Sequence, residues 1–482
     1  MTEPAAAHRR FFRSSFCYLL GSVFSKIVVF FMLPVYTANI PTTDMGMYDS
    51  AVAVSILTAS VLFLDIGVGI LRFLLPGGEE ERRDLLVSGL FLMLASGTVY
   101  LLLSLLLFAF YHPPYFFLIV LYGLSNSVLM AMGFVARARG CAAFYAIANS
   151  VSTLIQVALN LILILIFRWD YSALYLSFCV GAGVASLLIF FRCRVYDACR
   201  YGRVNRADLA RLLRFCLPLG ANCAAFWLLN SLDRVLVTAV LGTAANGYYA
   251  VAVKFTKILI FASACFQFAW QELSFLRGYE KERDERYYTE KTDLFLRIFM
   301  AAVLLLIPFV RIWLFLFPGF IDVSYSAAVP LIPLALLGTF VATVCSFLTP
   351  LFETTHRNKI IFFATLSGAM VNLLVILILF RFGVGVVAAN IAFLCGYCAT
   401  AVFLLVSLKK TVGLRVRIWR FLPFVPLAVG LSAVFACLPL FYNVLTFLLT
   451  AVLCAFSFRR EGKALLTAFR VKRGTIHKKS RK

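Results

Sequence analysis

Residues 230–257 read NSLDRVLVTAVLGTAANGYYAVAVKFTK, two apolar runs joined by a turn at Gly242, with Asp233, Arg234, Lys254 and Lys257 set inside them. A helix needs about 20 apolar residues to cross roughly 30 Å of hydrocarbon. On that measure the four charges fall within membrane-spanning segments. The turn also has an earlier copy. Thr37, Ala38, Thr42, Gly46, Tyr48, Ala51 and Val52 match Thr238, Ala239, Thr243, Gly247, Tyr249, Ala252 and Val253, each 201 positions on, with no gap. The shared Thr, Gly and Tyr positions mark an internal duplication rather than the chance identity of two apolar segments.

The rest of the chain agrees with this setting. Of its 482 residues 62% are hydrophobic and 14% charged, more apolar side chain than a soluble core can bury. Backbone groups in lipid must be satisfied within their own segment, so the recurring apolar runs are expected to be helices. We draw fourteen spans, at 14–38, 47–73, 85–110, 114–135, 144–167, 171–192, 212–240, 247–273, 292–317, 325–349, 359–381, 384–407, 421–439 and 441–458. The first has basic residues before it, as a signal peptide does, but it is long and lacks a small-residue cleavage site, so it is expected to remain as a helix.

Short cytoplasmic loops carry an excess of Lys and Arg. With both termini placed inside, the clusters at Arg192 to Arg214, Arg277 to Lys291, Lys409 to Arg420 and after Phe458 all fall on one side, and the outer loops keep only Arg168 and Arg381. The duplication then maps spans 1 and 2 onto spans 7 and 8. Six intervening spans make the two halves parallel, related by an axis along the membrane normal, with a substrate path expected between them. The predicted organisation is an all-α polytopic membrane protein: an N-terminal lobe (1–205), a C-terminal lobe (206–408), two further helices (409–458) and a basic cytoplasmic tail (459–482).

Thirteen cysteines are scattered through the apolar runs and read as small buried residues. Cys395-Gly-Tyr-Cys398 has redox or metal spacing, but it lies in a span without a second pair, so no metal site is expected. The tail holds ten Lys/Arg in 24 residues against Glu461 alone. Orientation and contact with anionic lipid account for it, and nucleic acid is not an expected partner. No Walker-type glycine-rich lysine loop is present, and no catalytic residues stand out.

Charge inside a span costs about 2.5–3.5 kcal/mol on insertion scales, so each charged residue needs a partner or a function. Arg72, Arg297 and Arg311 lie near helix ends, from which a long side chain snorkels to the interface. Lys26 is in mid-span, on a polar face with Ser22, Ser25 and Tyr18. Asp233 and Lys254 lie at matched depth. Asp233 has two readings, an ion pair with Lys254 or a place on the cavity wall. Arg234 and Lys257 remain as excess positive charge, Lys257 on the face of Lys254 at i, i+3.

Uncharged polar stripes run along helix 5 (Asn149, Thr153, Gln156, Asn160), helix 10 (Thr339, Thr343, Ser346) and helix 11 (Thr365, Gly368, Asn372). They read either as interhelical hydrogen bonding or as the wall of a wet lumen. A polar, net-positive lumen suits an anionic, hydroxyl-rich substrate.

The pattern Gly21…Lys26…Pro34, Gly46-x-Tyr48 and Asp65-x-Gly67 leading to Arg72-Phe73 resembles the start of oligosaccharide flippases. These are the O-antigen and capsule-type exporters of the multidrug/oligosaccharidyl-lipid/polysaccharide (MOP) superfamily. Asp233-Arg234…Leu241-Gly242…Gly247-x-Tyr249…Lys254 resembles the opening of their second lobe. The resemblance implies alternating access of two lobes, no enzymatic step, and a bacterial inner membrane. It implies an undecaprenyl-pyrophosphate-linked oligosaccharide as substrate, with membrane lipids and assembly proteins such as a polysaccharide polymerase as partners. Lys26, Arg234, Lys254 and Lys257 would then meet pyrophosphate, and Tyr48, Tyr249, Asn149, Gln156 and Asn160 the sugar. No cofactor is implied, and coupling to Na⁺, H⁺ or the membrane potential stays open. Asp65 is a coupling carboxylate or the structural partner of a basic neighbour.

Rival readings are a multidrug or metabolite exporter of the same superfamily, a flippase for the peptidoglycan precursor, and a membrane polymerase or ligase. An exporter of cations calls for lumen carboxylates, and a polymerase for a large outer loop. In the predicted map positive charge outnumbers acids in mid-membrane and every outer loop is short.

Overall fold

The computed structural model describes residues 27–74, 79–110, 112–278, 285–353, 357–412 and 424–459. Lys26 with its polar face, and all of the basic tail beyond Arg459, lie outside the described residues. Sixteen helices make up the fold, with no strand among the described residues. In chain order they are α1 (Ile27–Asn39), α2 (Thr42–Phe63), α3 (Ile66–Leu74), α4 (Glu79–Phe110), α5 (Phe116–Ala138), α6 (Ala142–Leu161), α7 (Ser172–Arg192) and α8 (Val195–Tyr201). There follow α9 (Arg206–Leu241), α10 (Thr243–Gly278), α11 (Glu285–Leu316), α12 (Ile332–Glu353), α13 (Asn358–Arg381), α14 (Val387–Val412), α15 (Phe424–Cys437) and α16 (Leu440–Ser457). Among the described residues twelve helical segments are long and apolar enough to cross a membrane. The shorter α1 and α15 occupy the places of the first and thirteenth predicted spans.

Large apolar side chains such as Leu94, Leu102, Leu106 and Phe110 on α4 are exposed. Water would penalise such a surface, and lipid accepts it. The chain divides into two compact units, one from Met1–Glu285 and Phe320–Leu414, the other from Arg286–Gly319 and Arg415–Lys482. Inside the second, Arg311 lies 5.9 Å from the Phe435 ring centroid and Arg297 lies 6.0 Å from that of Phe458. In the first, Arg72 lies over the Phe215 ring at 4.6 Å. An aromatic face thus meets each of the three arginines assigned to helix ends.

The second predicted span is two helices. Leu64 and Asp65 separate α2 from α3 with φ of 50° and 53°, a left-handed conformation that costs an L-residue about 1–2 kcal/mol. Neither residue is Gly or Pro, so nothing local announces the break. The fifth span ends in a π-helical turn, Ile162–Ile166, and the tenth begins as a 3₁₀ segment, Val323–Leu331, whose Asp322 side chain accepts the Ser324 N–H at its start.

Close helix contacts rest on small residues, as expected where lipid supplies no hydrophobic drive. The two copies of the duplicated turn meet each other. A Cβ on Gly46 would overlap the Thr243 carbonyl, and one on Gly247 the Thr42 carbonyl. Thr42 and Thr243 are equivalent positions, as are Gly46 and Gly247. The contact is therefore reciprocal, the signature of a two-fold-related pair. Asn246 reinforces it, donating from Nδ2 to the Gly46 carbonyl at 2.9 Å.

On α13, Gly368 is a packing residue rather than part of a wet stripe. A Cβ there would lie 2.7 Å from the Gly396 carbonyl of α14. Gly368→Val should accordingly destabilise the protein by about 1–3 kcal/mol through overpacking, read as a lower melting temperature in detergent. An unchanged temperature would mean that α13 and α14 are not in this contact.

Candidate functional site

Facing helices of the first unit carry the charges that the sequence singles out. On α9, Asn230 and Arg234 are one turn apart and share a face. On α10, Tyr249, Val253, Lys257, Ile260, Ala264 and Gln267 follow at steps of three and four. Thr339, Thr343 and Ser346 of α12, with Asn390 and Tyr397 of α14, close the ring around a cavity of about 250 Å³. Among its described lining residues Arg234 and Lys257 are the charged ones, with no Asp or Glu. Amides and hydroxyls supply the remaining polarity, and Tyr397 Oη donates to Asn230 Oδ1 at 2.6 Å.

Arg234 is not excess charge. Its Nη1 lies 2.8 Å from Asp49 Oδ1 on α2, an ion pair that joins the first half of the chain to the second. Both side chains are largely buried, at 21% and 15% exposure. The pair is monodentate, and Arg234 Nε and Asp49 Oδ2 have no hydrogen-bond partner among the described residues.

Asp233 and Lys254 do not meet, because they point to different neighbours at the same depth. The Asp233 carboxylate, fully buried, accepts from Tyr249 Oη at 3.5 Å and Asn372 Nδ2 at 3.4 Å. Asn372 also donates to the Leu229 carbonyl at 3.3 Å, tying α13 to α9. Lys254 has other neighbours, its Nζ 3.8 Å from Met45 Sδ and 5.2 Å from the Tyr36 ring centroid. A cation over an aromatic face is held without a counter-ion.

Asn160 supports that tyrosine from below. Its Nδ2 donates to Tyr36 Oη at 2.9 Å, and its Oδ1 accepts from Ser177 at 2.6 Å. The rest of the helix 5 stripe bonds within α6: Gln156 donates to Ser152 Oγ at 3.0 Å, and Thr153 to the Asn149 carbonyl at 3.0 Å. None of the four lines the cavity. Tyr48 packs on Tyr175, ring centroids 4.9 Å apart, while its repeat mate Tyr249 is on the cavity wall. Asp65, at the α2–α3 break, accepts from the Cys223 thiol at 3.5 Å and forms no salt bridge among the described residues. Of the helix 11 stripe, Thr365 lines a second cavity while Gly368 and Asn372 make interhelical contacts.

Asp49, Asn230, Gln267, Asn390 and Tyr397 belong to the site but were not among the residues singled out from the sequence. Two left signals. Asp49 directly follows the repeated Gly-x-Tyr and is an ionisable residue inside a predicted span. Gln267 continues the Lys257 face at helical spacing.

The pattern of the polysaccharide biosynthesis protein family matches residues 11–267 of this chain. No curated protein matches the chain. Among solved structures, the lipid II flippase MurJ in an inward closed conformation is similar at 14% identity and TM-score 0.67, covering 92% of this chain and 98% of that one. A MATE complex with MaL6 is similar at 15% identity and TM-score 0.54, covering 87% and 96%. An outward-facing multidrug resistance MATE transporter of the MOP superfamily follows at 15% and TM-score 0.52, covering 83% and 96%.

Proposed function

Because the chain belongs to the polysaccharide biosynthesis protein family and has the fold of MOP superfamily flippases and transporters, we propose that it flips an undecaprenyl-pyrophosphate-linked oligosaccharide across the bacterial inner membrane for surface polysaccharide assembly. One observation carries the substrate class. The cavity lining presents Arg234 and Lys257 with amide and hydroxyl groups and no described carboxylate. Pyrophosphate asks for cations and charge-assisted donors. Sugar hydroxyls suit Asn230, Gln267, Thr339 and Asn390. A cation exporter would need acids on that wall.

Alternating access of the two duplicated halves is the proposed motion, with Arg234 at their junction. Each charge moved through 100 mV is worth about 2.3 kcal/mol, so an inside-negative potential assists outward passage of an anion without ATP. Coupling to Na⁺ or H⁺ is the alternative, and Asp65 and Asp233 are the carboxylates to examine for it. A polysaccharide polymerase and other assembly proteins are the proposed partners. A second reading, flipping of the peptidoglycan precursor, is favoured by the fold likeness to a lipid II flippase; it uses the same pyrophosphate chemistry.

The double variant Lys26→Gln/Lys257→Gln tests the proposal. It should insert normally yet leave lipid-linked oligosaccharide on the cytoplasmic leaflet, scored by leaflet-specific labelling. Full export by this variant, or efflux of cationic dyes by the wild type, would overturn the assignment.

A further inference from the structure

A second cavity, of about 680 Å³, shares Phe226, Ser346 and Tyr397 with the first. Its volume lies within the range of about 300–1,000 Å³ usual for ligand sites. Its wall on α9 runs from Pro218 to Leu229, about 16 Å at the helical rise. Residues of α12, α13 and α14 complete it. Lys359, exposed at the start of α13, is its charged lining residue, with no Asp or Glu among the described ones. The charge rule places that end of α13 on the cytoplasmic side, where a substrate for export is taken up.

The polar groups of this wall share a bias. A hydroxyl has one proton to donate, and here it is already spent within the protein. Thr349 donates to the Cys345 carbonyl at 3.0 Å, and Ser346 to that of Ala342 at 3.1 Å. Thr400 donates to the Gly396 carbonyl at 3.1 Å, and Tyr397 to Asn230 Oδ1 at 2.6 Å. What these four oxygens still offer is lone pairs, so the cavity asks its ligand for O–H or N–H donors. The Asn222 amide and the Lys359 ammonium supply donors in return. Hydrocarbon would satisfy none of these groups. Phe226 and Phe362 add apolar ring faces to the same wall. A ligand that carries hydroxyls on a carbon ring matches both the acceptors and the ring faces. A carboxylate on it would match the ammonium, in a charge-assisted bond about twice as strong as a neutral one.

We propose that the second cavity is a saccharide compartment, and that Lys359 at its cytoplasmic end makes it selective for an acidic sugar, one that bears a carboxylate. The proposal rests on the flippase reading and deepens it by naming a class of sugar and the residue that selects it. The wall along α9 is long enough for more than one ring. An ammonium on a flexible stem acts as a point charge. It therefore selects for the acid and tolerates different ring geometries, whereas the acceptor hydroxyls favour any saccharide.

The experiment uses a soluble trisaccharide with a terminal hexuronic acid and a diazirine, irradiated with the full-length protein in nanodiscs and mapped by peptide mass spectrometry. Adducts are expected within 218–229, 345–349 and 359–365. Unlabelled acidic trisaccharide should displace them at about one tenth of the concentration needed for its neutral hexose counterpart, the ratio that one hydrogen bond to a charged group supports. Lys359→Gln should keep the adducts and erase that preference, and Lys359→Arg should retain it. Thr365→Trp, which fills the cavity, should lose the adducts while its melting temperature in detergent shows it folded. Adducts absent or confined to other peptides would overturn the compartment. Equal displacement by the two sugars in the wild type, or a preference that survives Lys359→Gln, would overturn the role of Lys359. Each of these results leaves the flippase reading standing, because the leaflet assay of Lys26→Gln/Lys257→Gln does not involve the second cavity. Full export in that assay would sink the flippase reading whatever the trisaccharide labels.

Discussion

Arg234→Met and Asp49→Leu, made singly, are each expected to destabilise the protein by about 3 kcal/mol. That is the low end of the cost of stranding one partner of a buried ion pair, suited to side chains that keep some exposure. Joining the two substitutions should restore most of that stability, because replacing both charges by apolar groups of similar size is near neutral. Transport should not return. The doubly substituted cavity has lost the cation nearest the junction of the halves, so export is expected to stay at background while the melting temperature recovers. The two readouts thus separate a structural pair from a substrate-binding one. Export restored together with stability would show that Arg234 serves only to hold α2 against α9.

This pairing also shows where the sequence stops being informative. Apolar runs and basic loops located the helical segments, because length and hydropathy are local properties. The duplicated Gly-x-Tyr turn revealed its own importance. Partner choice was different. Asp233 and Lys254 share a depth, which follows from counting residues along helices, but their directions depend on how α10 is rotated against α1, α2 and α13. Lys254 faces Tyr36 and Asp233 faces Asn372. Asp49 finds Arg234 across the repeat, at no spacing that a single helix could display.

Polar stripes carried the same ambiguity. Thr339, Thr343 and Ser346 of α12 line the cavity, whereas Asn160 of α6, on an equally regular stripe, bonds to Tyr36 and Ser177. Periodicity states which residues share a face and leaves open whether that face meets protein or a cavity. The break at Leu64 and Asp65 was invisible for a related reason. Its left-handed residues are held by tertiary contacts, among them the thiol of Cys223 on α9.

Gly46→Leu and Gly247→Leu are expected to abolish transport by a route that does not touch the cavity. The two turns approach backbone to backbone, and neither the Thr243 nor the Thr42 carbonyl can swing aside as a side-chain tip would. A leucine at either position must therefore push α2 and α10 apart at the end that the charge rule assigns to the outside. Under the proposed alternating access this contact is the seal of one state, and its loss should bias the protein towards the state open at that end. Asn246 gives the measurement. It is fully buried and hydrogen-bonded to Gly46, so a cysteine placed there, with the other cysteines removed, should resist a membrane-impermeant maleimide in the parent. In the Gly46→Leu background the same cysteine should react readily from the outer side. If the seal is a moving part, the protein will remain monodisperse in detergent while this accessibility rises and export falls. Aggregation of both leucine variants, with Gly46→Ala already unable to fold, would instead mark the contact as a fixed element of the core and remove it from the transport cycle.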